Sequence, residues 1–145
     1  MPRRSFELSV VDFGHAIGLL SRRVRAQAAA HGLSLAEASV LARLDREGAA
    51  TTAELARAEG MRPQSMGAIV AELEQRGLVE RRAHPTDGRQ QHIDLTVRGV
   101  ELRKSVGDAK RTWLAHAIAR LDEEDRDTLF TAGGIIERLV AEESR

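Results

Sequence analysis

Two patterns that start helices lie 17 residues apart near the middle of the chain. In each pattern a hydroxyl residue is followed three positions later by a glutamate: Ser34 by Glu37, and Thr51 by Glu54. In such a capping box the hydroxyl accepts a hydrogen bond from a backbone N–H of the first turn, and the glutamate bonds back to the first residue. Because Gly48 suits the end of the first helix, the spacing predicts two successive short helices. The predicted buried face of the first helix comprises Leu35, Ala38, Leu41 and Leu44.

A further helix follows after a turn that contains a glycine. Pro63 suits the first position of this helix, because the N–H that proline lacks has no helical partner there, and Gly77 suits its end. Its apolar residues lie three, one and three positions apart, which predicts one buried face: Met66, Ile69, Val70 and Leu73. A short helix, a tight turn and a second amphipathic helix together make a helix-turn-helix.

Two strand-like segments come next. Residues 78–82 and 91–95 have the length and residue types of strands, and residues 84–89 between them are rich in turn formers. We therefore predict a β-hairpin, and we expect Thr96 to cap the helix that follows it. With this hairpin as its wing, the stretch 34–99 is predicted to be a winged helix-turn-helix.

Long amphipathic helices are predicted on both sides of this region. The first, over residues 1–33, carries apolar residues at alternating steps of four and three, which places them on one stripe: Phe6, Val10, Phe13, Ile17, Leu20 and Val24. Two more helices are expected over residues 100–145, the last opened by Asp122, and the pair Gly133-Gly134 within it implies a kink or the close approach of another backbone. Stripes of this length need a partner surface. We expect a mostly α fold, one compact unit in which the flanking helices form a homodimer.

The composition excludes several classes of protein. The chain has no cysteine, so it cannot hold a disulfide, a thiolate redox sensor, a cysteine-ligated metal or a cysteine nucleophile. No stretch approaches the roughly 18 apolar residues of a membrane span, and the N-terminus has no uninterrupted apolar signal core. We therefore expect a cytoplasmic protein without a membrane partner.

The charges are unevenly distributed although the net charge is zero. Residues 76–111 carry nine basic and five acidic groups, whereas residues 112–145 carry four basic and eight acidic groups. The Debye length is about 8 Å at physiological ionic strength, so a distant acidic segment hardly cancels a local basic patch. The middle of the chain therefore keeps a basic excess that suits a polyanionic partner.

The second helix of the helix-turn-helix carries candidate DNA contacts in its first turns. Gln64 can pair with adenine in the major groove, and Ser65 can hydrogen-bond a base or a phosphate. Gly67 and Ala68 permit close approach to DNA, although small residues are equally typical of tight helix packing. The candidate residues of this helix are Arg62, Pro63, Gln64, Ser65, Gly67 and Ala68.

The predicted wing carries a second set of candidates. An arginine at its tip, Arg89, suits the narrow minor groove, where the negative potential is enhanced. Asp87 is expected to orient Arg89, to neutralise Arg81 or Arg82, or only to shape the turn, and Thr86 is a candidate phosphate contact. The candidate residues of the wing are Arg81, Arg82, Thr86, Asp87, Gly88 and Arg89.

Three motifs within residues 51–99 together resemble the MarR family of bacterial transcription regulators. They are Leu-Glu-Gln-Arg-Gly-Leu-Val-Glu-Arg at 73–81, Asp-Gly-Arg at 87–89 and Leu-Thr-Val-Arg-Gly at 95–99, and the resemblance in helix order extends over nearly the whole chain. It implies a homodimer that binds a pseudopalindromic operator on double-stranded DNA, usually represses, and often releases DNA when a small phenolic or other anionic ligand binds between the dimerisation and DNA-binding regions. The cysteine-dependent redox-sensing branch of the family is excluded.

Four residues are candidates to line such a ligand pocket: His15, Arg22, His31 and Trp113. Each has a plainer interpretation as well, because a tryptophan on an apolar stripe is often core and a single histidine on a helix is often structural or exposed to solvent. The operator, the regulated genes, the choice between repression and activation, and the effector itself stay open.

Other functional classes receive less support from the sequence. The chain has no phosphate-binding glycine loop, no nucleophile elbow and no histidine pair at metal spacing on one helix, so we expect no enzyme, no catalytic residue, no cofactor and no metal. His84 and His92 flank the wing and are candidates to bind a metal with Asp87 or Asp94, although two histidines across a hairpin are more typical of surface residues. Two alternatives stay open: a metal-sensing repressor, with zinc or nickel bound by histidines and carboxylates at the dimer interface, and a winged helix used only for protein contacts. The latter predicts no affinity for duplex DNA.

Overall fold

The computed structural model describes residues 5–143, so the ends of the two predicted terminal segments, residues 1–4 and 144–145, lie outside the described residues. The chain divides within its fifth helix into two units, the first ending at Lys110 and the second beginning at Arg111. Within the described part of the chain, none of the helices has the length and apolar character needed to cross a membrane.

The elements are α1 (Phe6–Ala30), α2 (Leu35–Glu47), β1 (Ala50–Thr51), α3 (Thr52–Ala58), α4 (Pro63–Gln75), β2 (Val79–Ala83), β3 (Gln91–Leu95), α5 (Val97–Ala119) and α6 (Glu123–Glu143). The predicted fold class, mostly α with a small β wing, is confirmed.

The predicted helix starts are confirmed by their hydrogen bonds. Ser34 Oγ accepts from the Glu37 N–H at 3.1 Å, and Glu37 Oε1 accepts from the Ser34 N–H at 2.9 Å, which completes the capping box. Thr51 Oγ1 accepts from the Glu54 N–H at 3.1 Å, and Pro63 occupies the first turn of α4. These bonds satisfy N–H groups that have no partner inside the helix, so the local sequence determines where these helices begin.

The sheet has three antiparallel strands in the order β1-β3-β2. The predicted hairpin is confirmed, with Val79 opposite Leu95 and Ala83 opposite Gln91. The third strand, β1, was not predicted from the sequence. It has two residues, too few to show the alternation that marks a strand, and it exists because Ala50 pairs with Ile93. This pairing joins the start of α3 to the wing.

The core of the first unit lies in the winged helix-turn-helix. Its largest fully buried side chains come from α2, α3, α4, α5 and the sheet: Val40, Leu41, Leu44, Leu55, Met66, Val70, Leu73, Val79, Ile93 and Val106. The prediction that Leu35 is buried is wrong, because this side chain is 62% exposed. Each step of three residues turns a helix by about 300°, so Leu35 lies about half a turn away from Leu44. Val40 takes its place in the core.

The start of α5 is seated tightly on the turn that follows α4. Thr96 Oγ1 donates to the Gly77 carbonyl at 2.6 Å and accepts from the Gly99 N–H at 3.1 Å, which confirms the predicted cap. The Thr96 N–H donates to the Leu78 carbonyl at 3.1 Å. A Cβ on Gly99 would lie 2.1 Å from the Leu78 oxygen, so only glycine fits this contact.

In the second unit, the predicted start of α6 is confirmed by a hydrogen bond of 2.8 Å from the Asp125 N–H to Asp122 Oδ1. The helix runs without interruption through Gly133-Gly134. A Cβ on Gly133 would meet no described atom within 4 Å, so the close approach expected there is not made by the described part of this chain. None of the described residues of α6 is buried, and its exposed large apolar side chains are Leu129, Phe130, Ile135, Leu139 and Val140.

The Gly99→Ala substitution should lower the free energy of unfolding by about 3 kcal/mol, because the added methyl group forces the backbone of α5 away from Leu78. Urea denaturation followed by circular dichroism measures the change. Gly67→Ala is the matched control, since a Cβ on Gly67 meets nothing within 4 Å and alanine favours the helix by up to about 1 kcal/mol. Equal stability of the two variants would contradict the prediction.

Candidate nucleic-acid interface

The first turn of α4 points its side chains into solvent. Arg62, Pro63, Gln64 and Ser65 are all exposed, whereas Met66 is fully buried. The helix is therefore held by its inner face, and the predicted contact residues are accessible. This arrangement is the one that a helix needs in order to reach base edges in the major groove.

The small residues of α4 are not used for packing within the described chain. Ala68 is exposed, and a Cβ on Gly67 would meet no described atom within 4 Å. The alternative of tight helix packing at these two positions therefore finds no partner helix among residues 5–143. They lie beside Gln64 and Ser65 and leave room for a ligand surface to approach.

The turn of the wing is organised by two side chains. His84 Nδ1 accepts from the Thr86 N–H at 3.2 Å and from the Asp87 N–H at 3.1 Å. Asp87 Oδ1 accepts from the Arg89 N–H at 3.0 Å. Of the roles considered for Asp87, this geometry supports shaping of the turn, and Arg89 itself is exposed. The part played by His84 was not predicted from the sequence.

The two arginines of β2, Arg81 and Arg82, form ion pairs with acidic residues other than Asp87. Arg81 Nε lies 3.2 Å from a carboxylate oxygen of Glu74 on α4. Arg82 Nε donates to Glu80 at 2.8 Å, and its Nη1 lies 3.6 Å from Asp94 on β3. The expectation that Asp87 neutralises Arg81 or Arg82 is therefore wrong, because partners on α4 and on the strands lie closer.

A groove of about 570 Å³ lies between α3 and the wing. Three arginines contribute to its lining, Arg57 from α3, Arg81 from β2 and Arg89 from the wing. Arg57 was not among the candidate contacts predicted from the sequence. It follows the buried apolar residues Leu55 and Ala56 and is exposed. The groove places positive charge next to the wing tip.

A second concave region is formed by α1, α2 and the end of the first unit. It consists of a cavity of about 280 Å³ and an adjoining groove of about 660 Å³, both of which Arg25 and Lys110 line. Arg103, in the groove, lies 3.5 Å from Asp45, yet its Nε makes no hydrogen bond. Burial lowers the pKa of Lys110 below its ordinary value, and the positive charges of Arg103 and Arg25 lower it further. The region therefore holds positive charge that is only partly neutralised.

The structure places the four predicted pocket residues in different surroundings. Arg22 lines the 280 Å³ cavity, whereas His15 is exposed on α1. His31 caps α1, with its Nδ1 at 2.8 Å from the Gln27 carbonyl. Trp113 is half-buried in the second unit. We call this 280 Å³ cavity, which Arg22, Arg25 and Lys110 line, the cationic cavity. Of the four predicted pocket residues, Arg22 is the one that lines it.

The histidines considered as metal ligands lie next to each other in the wing. The rings of His84 and His92 pack edge to face with their centroids 4.4 Å apart. Across residues 5–143, no three histidine, aspartate or glutamate side chains converge in a way that could hold a metal ion. The two rings pack against each other across the hairpin.

Comparisons with known proteins agree with this geometry. A family model described as the MarR family matches residues 31–90. An HTH-type transcriptional regulator of Mycobacterium tuberculosis is 38% identical over 131 residues, covering 90% of this chain and 92% of its own. A putative transcriptional regulator of Pseudomonas aeruginosa has a similar structure, with a TM-score of 0.80 at 30% identity over 94% of this chain and 97% of its own.

A Staphylococcus aureus MepR variant, solved bound to an oligodeoxyribonucleotide, shares the fold with a TM-score of 0.69 at 15% identity, over 95% of this chain and 99% of its own. The matched segment, residues 31–90, contains the whole helix-turn-helix and, of the wing, β2 and the turn that follows it. The chain therefore belongs to the MarR family and is a DNA-binding transcriptional regulator rather than an enzyme.

Proposed function

We propose that the protein is a cytoplasmic homodimeric repressor that binds a pseudopalindromic operator and releases it when a small anionic ligand occupies the cationic cavity. The observation that carries the proposal is the exposure of Gln64 and Ser65 on α4 together with Arg89 at the tip of the wing. In this proposal α4 reads the major groove, and each wing enters the adjacent minor groove. A MepR variant that shares the fold was solved bound to an oligodeoxyribonucleotide, which supports DNA as the partner.

Gln64 and Arg89 are assigned different kinds of contact. The Nε2–H₂ group of Gln64 can donate to adenine N7 while its Oε1 accepts from adenine N6–H₂, so the side chain matches adenine. The guanidinium of Arg89 is attracted by the potential of the minor groove, which depends on groove width more than on individual bases. Base contacts give sequence preference, whereas contacts driven by potential strengthen binding to every duplex.

Gln64→Ala should cost about 1–3 kcal/mol at particular base pairs and relax the sequence preference there, while Arg89→Ala should weaken binding to all duplexes and reduce the salt slope by about 1. Gel-shift titrations with a randomised pool of duplexes measure both effects. Gln75→Ala is the matched control, because Gln75 is exposed at the other end of α4. Unchanged sequence preference in the Gln64 variant would refute its base-reading role.

The dimer is inferred from apolar side chains that the single chain leaves in water. On α1 the predicted stripe is exposed at Phe6, Val10, Phe13, Ile17 and Leu20, by 40% to 82%. A contiguous apolar patch of this kind marks an interaction surface on a soluble protein, and each Å² removed from water contributes about 25 cal/mol. With the exposed face of α6, these helices support assignment of residues 1–33 and 100–145 to dimerisation and of 34–99 to DNA.

A two-fold dimer also supplies the operator geometry. Symmetry places two copies of α4 on the same side of the duplex, and two major grooves on one side lie about 34–36 Å apart. A half-site read by each copy then repeats with inverted orientation, so the operator is expected to be pseudopalindromic. The separation of the two α4 helices becomes the quantity that a ligand can change.

The protein should elute as a dimer of its 15.9 kDa chain, and Ile17→Asp should shift it toward monomer because it places a carboxylate in the apolar stripe that the proposed dimer buries. Size-exclusion chromatography with light scattering measures the mass. Val97→Asp is the control, since Val97 is 78% exposed but lies outside α1 and α6. A wild-type protein that stays monomeric at micromolar concentration would contradict the proposed operator geometry.

The cavity near Arg25 and Lys110 suits an organic anion with an apolar body. Alanine and leucine side chains form part of its wall, among them Ala26, Ala29 and Leu35. Burial lowers the pKa of Lys110, and the charges of Arg103 and Arg25 lower it further; a carboxylate placed between these cations relieves the repulsion among them. A ligand of this type shifts operator binding if it prefers one arrangement of the dimer over the other.

Millimolar benzoate should weaken operator binding at least about fivefold, whereas benzamide, which has the same shape without charge, should have little effect. Lys110→Met should abolish the response to benzoate, because the variant loses one of the cations that bind the carboxylate. Fluorescence anisotropy of a labelled operator measures the dissociation constant in each case. An equal response to benzamide, or a full response of the Lys110 variant, would count against an anion site in this cavity.

A further inference from the structure

One side chain ties the C-terminal end of α4 to the corner between α1 and α2. Arg76 caps α4, and its Nη1 donates to the Gly32 carbonyl at 3.0 Å and to Glu37 Oε2 at 3.3 Å. Its side chain is 32% exposed and that of Glu37 is 13% exposed, so the pair is better shielded from water than a typical surface ion pair. The contact joins residues 44 and 39 positions apart in the chain.

The corner that receives Arg76 is itself held in one conformation. Gly32 has a φ of +76°, a conformation that other residues rarely adopt. Glu37 binds Arg76 with one oxygen and the Ser34 N–H with the other. Burial alone raises the pKa of Glu37, but the hydrogen bonds from Ser34 and the charge of Arg76 outweigh it, so that this pKa lies below its ordinary value. The carboxylate therefore stays charged and presents a fixed acceptor.

The same corner forms part of the wall of the cationic cavity. Leu33, Ser34 and Leu35 line the 280 Å³ cavity, and the Ser34 backbone is bound by the carboxylate that binds Arg76. A displacement of Ser34 therefore acts on the end of α4 through two hydrogen bonds. Coupling between sites needs a contiguous physical connection of this kind.

Arg76 lies far from the residues assigned to base contacts. It is 12 residues beyond Gln64, which corresponds to about 18 Å along a helix. α4 packs on the core along its inner face and is tied to the α1–α2 corner at this end, so a change of its angle at Arg76 displaces the exposed first turn over the full length of the helix. Hydrogen-bonded contacts to bases fail with displacements of about 1 Å, so the angle of α4 decides whether Gln64 can read its base.

We propose that Arg76 is a positioning residue for DNA recognition, which sets the angle of α4 against the α1–α2 corner and transmits displacements of the cavity wall to α4. The inference rests on the proposed function of α4 in reading the operator. Arg76 acts through Gly32 and Glu37 and contributes sequence specificity without a phosphate contact of its own.

The test compares binding of Arg76→Met to the best duplex selected from a randomised pool and to an unrelated duplex, over a range of salt concentrations. Methionine keeps an unbranched apolar stem and removes the donors. We expect the affinity for the selected duplex to fall about tenfold, the affinity for the unrelated duplex to stay within twofold, and the slope of log Kd against log salt to stay unchanged. Arg76→Lys, which keeps the charge and one donor to Glu37, should recover part of the specificity.

The matched control is Arg43→Met, which breaks the ion pair between Arg43 and Glu59 at 2.8 Å. This pair has similar exposure, 22% and 16%, but links α2 to the end of α3 rather than to α4. Thermal melts of both variants compare their stability. A loss of specificity for Arg76→Met that exceeds that of Arg43→Met at equal stability supports the positioning role, and equal losses overturn it.

Glu37→Gln provides an independent readout, because it keeps an acceptor for Ser34 and removes the charge that binds Arg76. Its effect should not add fully to that of Arg76→Met in the double variant, since both variants remove the ion pair between Arg76 and Glu37. Full additivity, or a reduced salt slope for Arg76→Met, would overturn the proposal. If Gln64→Ala leaves sequence preference intact, the proposed function of α4 fails; if Gln64→Ala relaxes it and Arg76→Met does not, only the positioning role fails.

Discussion

The close contact between α5 and the turn after α4 is the constraint on which the rest of the winged helix-turn-helix depends. Gly99 approaches the Leu78 carbonyl so closely that a Cβ would lie 2.1 Å from the oxygen, and Thr96 binds the Gly77 carbonyl beside it. These contacts allow the turn only one position relative to α5. Since Leu78 and Val79 are both buried directly after the turn, the end of α4 and the start of the wing are set by one junction.

This junction explains how a chain with no net charge presents a basic face. The first turn of α4 and the wing tip extend from the two sides of the junction, and Arg62 and Arg89 are exposed at their ends. The arginines nearer the junction, Arg81 and Arg82, are paired with acids. Positive charge is thus neutralised by acids along β2 and retained at the two projecting ends, where a polyanion can approach.

Local patterns were sufficient to predict the helices and the hairpin. The capping box at Ser34 depends on residues three positions apart, and such short-range hydrogen bonds form in the same way wherever the helix packs. The predicted caps at Thr96 and Asp122 were confirmed for the same reason. The apolar pattern was less reliable at Leu35, because repeated steps of three drift around the helix instead of staying on one face.

Long-range pairing was the part that the sequence could not provide. Strand β1 exists only because Ala50 meets Ile93, and the partner of Arg82 on β3 depends on a register that no local pattern contains. The groove that joins Arg57 to Arg89 brings together residues 32 positions apart. The candidate DNA contacts could be proposed from residue type and helix position, whereas the groove and the cationic cavity required the fold.

The cationic cavity and the Arg76 contact differ in their effect on the free energy of the protein when no ligand is bound. The Arg76 pair is satisfied on both sides, and its geometry needs nothing further. In the cavity, Lys110 lies in the field of Arg25 and Arg103, and burial disfavours its charge as well. Without an anion, a conformation that moves these groups apart is lower in free energy. With an anion bound, a conformation that keeps them together is lower in free energy. In the proposed mechanism these cations therefore favour two arrangements of the α1–α2 corner, and the hydrogen bonds of Arg76 to Gly32 and Glu37 connect that corner to α4.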